Sequence, residues 1–526
     1  MRIKRELIIF SILFIAGISS RSLLAAKDFT HMDEILYAIG SFNYSIKDVT
    51  PPSPGYFLYI MSARLLNVFT QDPFSSLVFL SIFYSGLIAG TLYYFGFILK
   101  GRTAGVISAL MFLTSPVFWY KGITIFGYLN SGFFILLTAL LCYLIIIGRR
   151  GNILIWMSIS FGILIGVRPQ ELITIFPLYF FTLFHVKLRE RIYSVSIFLI
   201  TCLLWLIPLI VISGGFKSYM EVFRSGSIYL AEDSVFGGSF ISNLSNHLIR
   251  MSQYFIRSYY LAIIPLAYYV GRFFQLPSLV DNKKVQFFTF WILPCVFYNI
   301  FIQFGEIGHG MSWALGIFLL IGESTEVLCA DSVAMLQRWM GKVRHGFAYV
   351  ICALIVVSMM VVNSFAFFYD FDKDDDMLFY DFEKYTQSNY NYVVKKNHFS
   401  LPKINFIKDK LNPEKSIIIV SSEFGHGVMY HLPDSVVIQP IVIYRKNKTS
   451  FMYFCGYKRA YYKYKTDFII PEDFERVVIF DDRFIPYLED NTSNIRYYNV
   501  GHYRLAEVGV RAGQKINFDF HSIRIE

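Results

Sequence analysis

The chain has 526 residues, of which 55% are hydrophobic, 18% aromatic and only 16% charged. A soluble domain carries roughly 25% charged residues, so this composition excludes an ordinary soluble protein. The apolar residues also cluster in runs of about 17–25, as expected for helices that cross a hydrocarbon core about 30 Å thick. The sequence predicts a polytopic α-helical membrane protein.

The net charge of +10 is unevenly distributed along the chain. Residues 371–526 contain 22 Lys and Arg against 21 Asp and Glu, so nearly all the excess positive charge lies in the hydrophobic part. Its short loops alternate between basic and non-basic, a pattern typical of membrane topology and not of a groove for nucleic acid. The six cysteines show no metal-ligand spacing, and we predict neither a metal nor a cofactor.

Eleven spans are predicted, with the N-terminus in the cytoplasm because Arg2, Lys4 and Arg5 precede the first apolar run. Residues 55–69 are too few to span and are expected to form a helix at the membrane interface. The predicted spans cover about 7–25, 74–99, 103–119, 131–148, 153–167, 172–185, 194–213, 254–271, 285–303, 313–329 and 347–369.

An odd number of spans exports the C-terminal part of the chain. We therefore predict a transmembrane domain, 1–370, with a first outer loop, 26–54, and a long outer loop, 214–252. Residues 371–526 are expected to form a small extracytoplasmic α/β domain, since β-branched runs alternate with helix-compatible segments. These runs lie at 416–421, 435–444 and 476–480. The predicted location is the cell membrane, or the ER membrane in a eukaryote.

The first outer loop carries two adjacent acids, Asp33 and Glu34, and carboxylates beside a bilayer are costly without a chemical use. They lie within the sequence MDEILYA at 32–38, and the sequence PPSP at 51–54 follows before a hydrophobic helix. This order resembles the first outer loop of the GT-C membrane glycosyltransferases. The similarity is to the protein O-mannosyltransferase and lipid A aminoarabinose transferase branches, and it is sharpest over residues 28–186.

The resemblance implies that the first acid of the pair lies at the reaction centre as the general base. In this sequence that residue is Asp33, with Glu34 as its neighbour. The alternative is a solvated acid pair that caps a helix at the membrane edge. The family often has His or Lys before its Pro-Pro pair, whereas this chain has Thr50, so a phosphate contact from this loop is not expected.

The resemblance also implies cations that hold the departing lipid phosphate. Arg250 and Arg257 flank the predicted entry to the eighth span, and arginine can grip a phosphate through two hydrogen bonds. Lys121 and Arg168, each in a predicted outer turn, are further candidates. The alternatives are interfacial cations and, for Arg168, an ion pair within its own loop.

Four other residues are expected to line the site. Asn130 stands where the family often has an aspartate, and an amide cannot act as a base. Tyr37 follows the acid pair. Glu306 and His309 lie three residues apart in a glycine-spaced turn, where an ordinary turn is the alternative.

The expected reaction moves a sugar from a polyprenyl-phosphate-linked donor to a hydroxyl of a lipid, glycan or protein acceptor. It takes place on the extracytoplasmic side, with inversion and with Asp33 as the base. The expected partners are this donor, the acceptor and membrane lipids, without nucleic acid. A transporter or flippase for lipid-linked saccharides is one alternative, although it would place charges near mid-bilayer in two related halves. A non-catalytic membrane scaffold is the other, and it has no need of the acidic loop.

Overall fold

A computed structural model of the chain describes residues 2–149, 151–275, 281–304, 307–340, 345–369, 389–441, 450–455, 463–465, 467–488, 495–519 and 522–525. The chain divides into two compact units. The helical unit comprises Met1–Ala25 and Ser41–Tyr392, and the sheet unit comprises Ala26–Gly40 and Val393–Glu526. The segment that carries the two adjacent acids therefore belongs to the same unit as the C-terminal part of the chain.

Helices make up most of the described structure. In chain order they are α1 (Arg2–Ser22), α2 (Met32–Phe42), α3 (Phe57–Thr70), α4 (Pro73–Leu99), α5 (Arg102–Thr114), α6 (Pro116–Ile123), α7 (Tyr128–Ile146), α8 (Ile153–Val167), α9 (Glu171–Leu183), α10 (Leu188–Ile212), α11 (Phe216–Asp233), α12 (Phe240–Tyr259), α13 (Ile263–Gln275), α14 (Asn282–Phe301), α15 (Met311–Met340), α16 (His345–Phe368), α17 (Tyr390–Lys410) and α18 (Ser422–His431).

Six of the described helices are long and apolar enough to cross a membrane: α4, α7, α10, α14, α15 and α16. The bent pair α5 and α6 would make a seventh span. By contrast, α8 and α9 are apolar but have only 15 and 13 residues, and α1 carries charged side chains at both ends. The chain is thus a helical membrane protein by composition, and the count of eleven spans stays a prediction.

The predicted third span is a pair of helices and not one straight helix. The axes of α5 and α6 differ by 62°. Pro116 starts α6 without a backbone N–H to donate, and Ser115 before it has extended backbone, as residues before proline prefer. The Ser115 hydroxyl donates to the carbonyl of Ser258 at 2.8 Å, which ties the bend to the end of α12.

The predicted long loop 214–252 contains helix α11 and most of α12. The predicted eighth span, 254–271, is also interrupted, because α12 ends at Tyr259 and α13 begins at Ile263. Tyr260 between them has a φ of 41°, which a continuous α-helix does not allow. These two helices carry many polar residues, so a search for apolar runs does not predict them.

The described residues of the sheet unit form ten strands: β1 (Ser416–Ile419), β2 (Val436–Ile441), β3 (Ser450–Cys455), β4 (Lys463–Lys465), β5 (Asp467–Ile469), β6 (Arg476–Ile479), β7 (Ile495–Val500), β8 (Tyr503–Gly509), β9 (Lys515–Asp519) and β10 (Ser522–Ile525). The larger sheet has the order β4-β3-β2-β1-β6-β8-β7, and the smaller has the order β10-β9-β5. Strand β1 pairs in parallel with both β2 and β6, and the other pairs are antiparallel.

The three strands predicted from β-branched runs are β1, β2 and β6, which form the parallel centre of the larger sheet. Their side chains, such as Ile417, Ile438 and Val477, are fully buried. Parallel strands are covered on both faces and therefore read as continuous apolar runs, which explains why these three could be identified. The predicted domain boundary between 370 and 371 lies outside the described residues.

Candidate functional site

The two adjacent acids have different surroundings at the start of α2. The Glu34 side chain is 1% exposed. Its carboxylate accepts hydrogen bonds from the Thr30 backbone N–H at 2.6 Å, the Thr30 hydroxyl at 2.9 Å and the His31 backbone N–H at 3.3 Å. A glutamate at the third position of a helix commonly accepts hydrogen bonds in this way from the backbone N–H groups that precede the helix. Glu34 thus holds the turn that precedes α2.

Asp33 is the accessible acid of the pair, with 36% of its side chain exposed. Its backbone N–H donates to Nδ1 of His31 at 3.2 Å, and its carboxylate lies 4.0 Å from the same nitrogen. Asp33 thus places a carboxylate, a group that can act as a general base, at an accessible position in the first turn of α2.

A small cleft of about 20 Å³ lies beside this turn within the sheet unit. We call residues 26–40, which carry the two acids, the acidic segment. The cleft is lined by residues of this segment and of α17 and α18: Asp28, Phe29, Thr30, His31, Ile35, Ser400, Phe424, Gly427 and Val428. Both polar and apolar groups line it, and its volume accommodates about one water molecule beside the turn that carries Asp33.

In the helical unit, two buried cations lie around one tyrosine. Lys121 is 3% exposed and Arg168 is 5% exposed. The Lys121 Nζ lies 3.5 Å from the ring centre of Phe126 and 5.0 Å from that of Tyr128. The Arg168 Cζ lies 4.1 Å from the Tyr128 ring centre. Aromatic faces stabilise cations that have left water, so both charges can be held in this buried place.

Glu171, 3% exposed, is a carboxylate of this cluster. One oxygen lies 3.4 Å from the Arg168 Nε, and the other accepts hydroxyl hydrogen bonds from Thr174 and Ser312, each at 2.6 Å. The ion pair considered from the sequence is therefore present. Glu171 connects the turn before α9 to the start of α15 and orients the arginine beside Tyr128.

The glycine-spaced turn is the 3-10 turn Ile307–Gly310, and it packs against the same tyrosine. The His309 ring lies 6.0 Å from the Tyr128 ring centre. A Cβ placed on Gly308 would come within 2.2 Å of the Tyr128 ring, and one on Gly310 within 2.2 Å of the Tyr254 ring. Glycine is needed at both positions because two tyrosine rings lie directly on the backbone.

Replacing Gly308 by Ala is expected to destabilise the protein by about 1–3 kcal/mol, the usual result of overpacking. The displaced Tyr128 ring should also disturb Lys121 and Arg168 beside it. The measurement is thermal unfolding in detergent or nanodiscs. Gly271→Ala is the matched control, because a Cβ there meets nothing within 4 Å. Equal melting temperatures for the two variants would contradict the assigned packing.

Helix α12 carries Arg250 and Arg257 on one face, since seven residues are about two helical turns. Both side chains are half-buried, and Tyr254 between them is fully buried. Tyr254 stacks edge-on against Trp313, and α12 packs against α6, the helix of Lys121, and against the turn that contains His309. The two arginines therefore lie on a helix that contacts both of these elements.

The structure thus brings Lys121, Arg168 and His309 together around Tyr128. Asn130 is 1% exposed in the first turn of α7, and its amide oxygen has no hydrogen-bond partner among the described residues. Tyr37 is buried, but it belongs to the sheet unit. The predicted residue Glu306 lies outside the described residues.

Sequence reasoning missed four residues of these arrangements: Asp28, His31, Tyr128 and His431. His31, two residues before Asp33, could have been found as a titratable neighbour of the acid pair. No feature of the sequence marks Tyr128 as a site residue, because aromatic residues are common throughout this chain. Asp28 could be recognised only in the folded chain, because its carboxylate lies 2.9 Å from Nε2 of His431, which is 403 residues away in sequence.

Solved structures with the same fold include ArnT from Cupriavidus metallidurans bound to undecaprenyl phosphate. The sequences are 12% identical, the TM-score is 0.53, and the match covers 96% of this chain and 97% of ArnT. The apo state of the same protein matches with a TM-score of 0.52 and 12% identity, covering 97% and 98% of the two chains. An archaeal oligosaccharyltransferase, AglB from Archaeoglobus fulgidus, matches at 10% identity with a TM-score of 0.46, over 81% of this chain and 63% of AglB.

No family model and no curated protein matches the sequence. The structural match extends over nearly the whole length of both this chain and ArnT. The predicted resemblance to GT-C membrane glycosyltransferases is therefore confirmed at the level of the fold.

Proposed function

We propose that this protein is a membrane glycosyltransferase that uses a polyprenyl-phosphate-linked sugar. The acceptor hydroxyl attacks the anomeric carbon, a new C–O bond forms, and the bond between that carbon and the phosphate oxygen breaks. The hydroxyl proton passes to the Asp33 carboxylate, and polyprenyl phosphate leaves as an anion. Attack opposite to the leaving group inverts the anomeric configuration.

The observation that supports this proposal is an accessible Asp33 carboxylate in a chain that shares its fold with ArnT over 96% of its length. Asp33 is partly exposed at a helix N-terminus, while Glu34 beside it is buried and hydrogen-bonded. A base must be accessible to the hydroxyl that it deprotonates. Of the two acids, only Asp33 meets that condition, and Glu34 takes the role of holding the turn.

The leaving phosphate requires positive charge. The buried Lys121 is the first candidate to supply it beside Tyr128, and Arg168, whose charge is already paired with Glu171, is the second. Arg250 and Arg257 lie on a helix that packs against the same elements. Buried cations interact with a phosphate more strongly than exposed ones, because the surroundings screen the charge less. ArnT has been solved with undecaprenyl phosphate bound, which supports a ligand of this class for the same fold.

The direct test is a transfer assay on the purified protein with a panel of polyprenyl-phosphate sugars and hydroxyl acceptors. The expected result is release of polyprenyl phosphate that depends on both donor and acceptor. Movement of intact lipid-linked saccharide across vesicles, without release of polyprenyl phosphate, would favour the transporter alternative.

The proposed reaction takes place on the extracytoplasmic side, with eleven spans and residues 371–526 exported. The basic residues between α4 and α5 and between α9 and α10 are expected to face the cytoplasm. A reporter enzyme that functions only outside the cytoplasm should be active when it is fused after Glu526. A C-terminal reporter active only in the cytoplasm would overturn this topology.

A further inference from the structure

The sheet unit contains a buried contact between the acidic segment and helix α18. The Nε2 of His431, the last residue of α18, lies 2.9 Å from an Asp28 carboxylate oxygen. Asp28 is 4% exposed, and the same oxygen accepts the backbone N–H of Phe29 at 2.8 Å. A buried carboxylate needs such partners, because a charge removed from water without them is strongly destabilising.

Aromatic rings surround this hydrogen bond. The Phe29 ring lies 4.8 Å edge-on from Tyr430 and 6.0 Å from His431, and Phe29 is 7% exposed. Further along α18, Gly427 lies beside Ile35, whose Cδ1 would be in ordinary van der Waals contact, 3.8 Å, with a Cβ at this position. Helix α18 thus contacts the acidic segment both before and after Asp33.

These contacts continue into the turn that carries the proposed base. Asp28 and Phe29 are held by α18, and Thr30 follows them directly and donates both its N–H and its hydroxyl to Glu34. Glu34 is the next residue after Asp33. A shift of Asp28 would therefore move Thr30, and with it the turn that sets the position of the Asp33 carboxylate.

We propose that His431 is a positioning residue, which through Asp28 holds the N-terminus of α2 so that Asp33 meets the acceptor hydroxyl in reactive geometry. This inference rests on the proposed function. It means that the C-terminal part of the chain affects catalysis by positioning the base, without itself contacting the substrate. Small misplacements of a catalytic group are costly, since an error of 1 Å can lower a rate by about 10²-fold.

Two substitutions separate the hydrogen bond from the ring packing. His431→Phe keeps an aromatic ring against Phe29 but cannot donate to Asp28, whereas His431→Gln keeps a donor and loses the ring. We expect His431→Phe to lower kcat by up to about 10²-fold with little change in the acceptor KM, and His431→Gln to restore most of kcat. His502→Ala, in an exposed turn of the same unit, is the control and should leave kcat unchanged.

Amide hydrogen exchange over residues 26–36 measures the positioning without any assay of activity. His431→Phe should accelerate exchange at Thr30 and His31, and His431→Gln should not. If His431→Phe impairs folding, the comparison is repeated in an Asp28→Ala background, where no carboxylate is left buried. There the added His431→Phe should change neither exchange nor kcat further.

Unchanged exchange over 26–36 in His431→Phe would overturn the inference, even if Asp33→Asn is inactive. The double variant Asp28→Ala/His431→Phe gives a second test. If its fold-loss of kcat equals the product of the fold-losses of the two single variants, the residues act independently and the inference is wrong. A fall in melting temperature with normal kcat per folded molecule would also overturn it and leave His431 a structural residue. Normal turnover of Asp33→Asn, in contrast, would refute the proposed function, while the exchange measurement would still report on the contact.

Discussion

Asp33→Asn is expected to lower turnover by about 10²–10⁴-fold, the usual contribution of a general base. Asparagine has nearly the shape of aspartate, so the backbone hydrogen bond to His31 should survive, but its amide cannot take up the proton of the acceptor hydroxyl. The measurement is turnover at saturating donor, with thermal stability and donor binding measured on the same preparation. Both of the latter should remain near those of the unaltered protein.

Glu34→Gln is the matched comparison, because it removes the neighbouring charge from a residue that holds the turn. Two backbone N–H groups donate to one Glu34 oxygen and the Thr30 hydroxyl donates to the other, so in Gln the amide nitrogen can no longer accept from the hydroxyl, which must turn to accept instead. We expect a lower melting temperature and a smaller loss of turnover than for Asp33→Asn. Near-normal turnover of Asp33→Asn would remove the assignment of the base and the main argument that this protein is an enzyme.

Lys121→Met is expected to weaken donor use by about 2–5 kcal/mol, as for the loss of one partner of a buried charged pair. Methionine keeps an unbranched apolar stem against Phe126 and Tyr128, so the aromatic packing should be retained while the charge is lost. Donor affinity and kcat/KM for the donor are the quantities to measure. The acceptor KM should change little.

Lys100→Met is the control for this substitution, since Lys100 is exposed at the end of α4. It removes the same charge from the surface and should leave donor use unchanged. An equal effect of the two substitutions would show that net charge matters and not the buried cluster. Arg250→Ala and Arg257→Ala extend the series, and the arginine assignment is wrong if neither changes donor affinity or turnover.

Much of the architecture could be predicted from local patterns. Apolar runs identify the long helices α4, α7 and α10, since a helix in contact with lipid must be apolar over its whole length. Continuous β-branched runs identify the buried parallel strands. Polar helices such as α11 and α12 were missed because neither pattern applies to them. The bend between α5 and α6 has a local cause, the proline at 116.

The acid pair could also be found in the sequence, but the different roles of its members could not. Asp33 and Glu34 are adjacent and chemically alike, so composition and spacing treat them equally. Only the folded turn shows that Glu34 is buried against Thr30 and that Asp33 remains accessible. The difference in burial between the two acids arises from backbone N–H groups that fold around Glu34, and the sequence does not show where those groups lie.

The sequence by itself determined the membrane class, the fold expectation and the candidate acids, because these depend on periodicity and on short local motifs. Tertiary structure alone decided which distant residues meet. Lys121 and Arg168 lie at one tyrosine, and Asp28 meets His431 across 403 residues of sequence. Such contacts have no periodic signature. They arise from packing of the whole chain, in which each buried charge must find a partner.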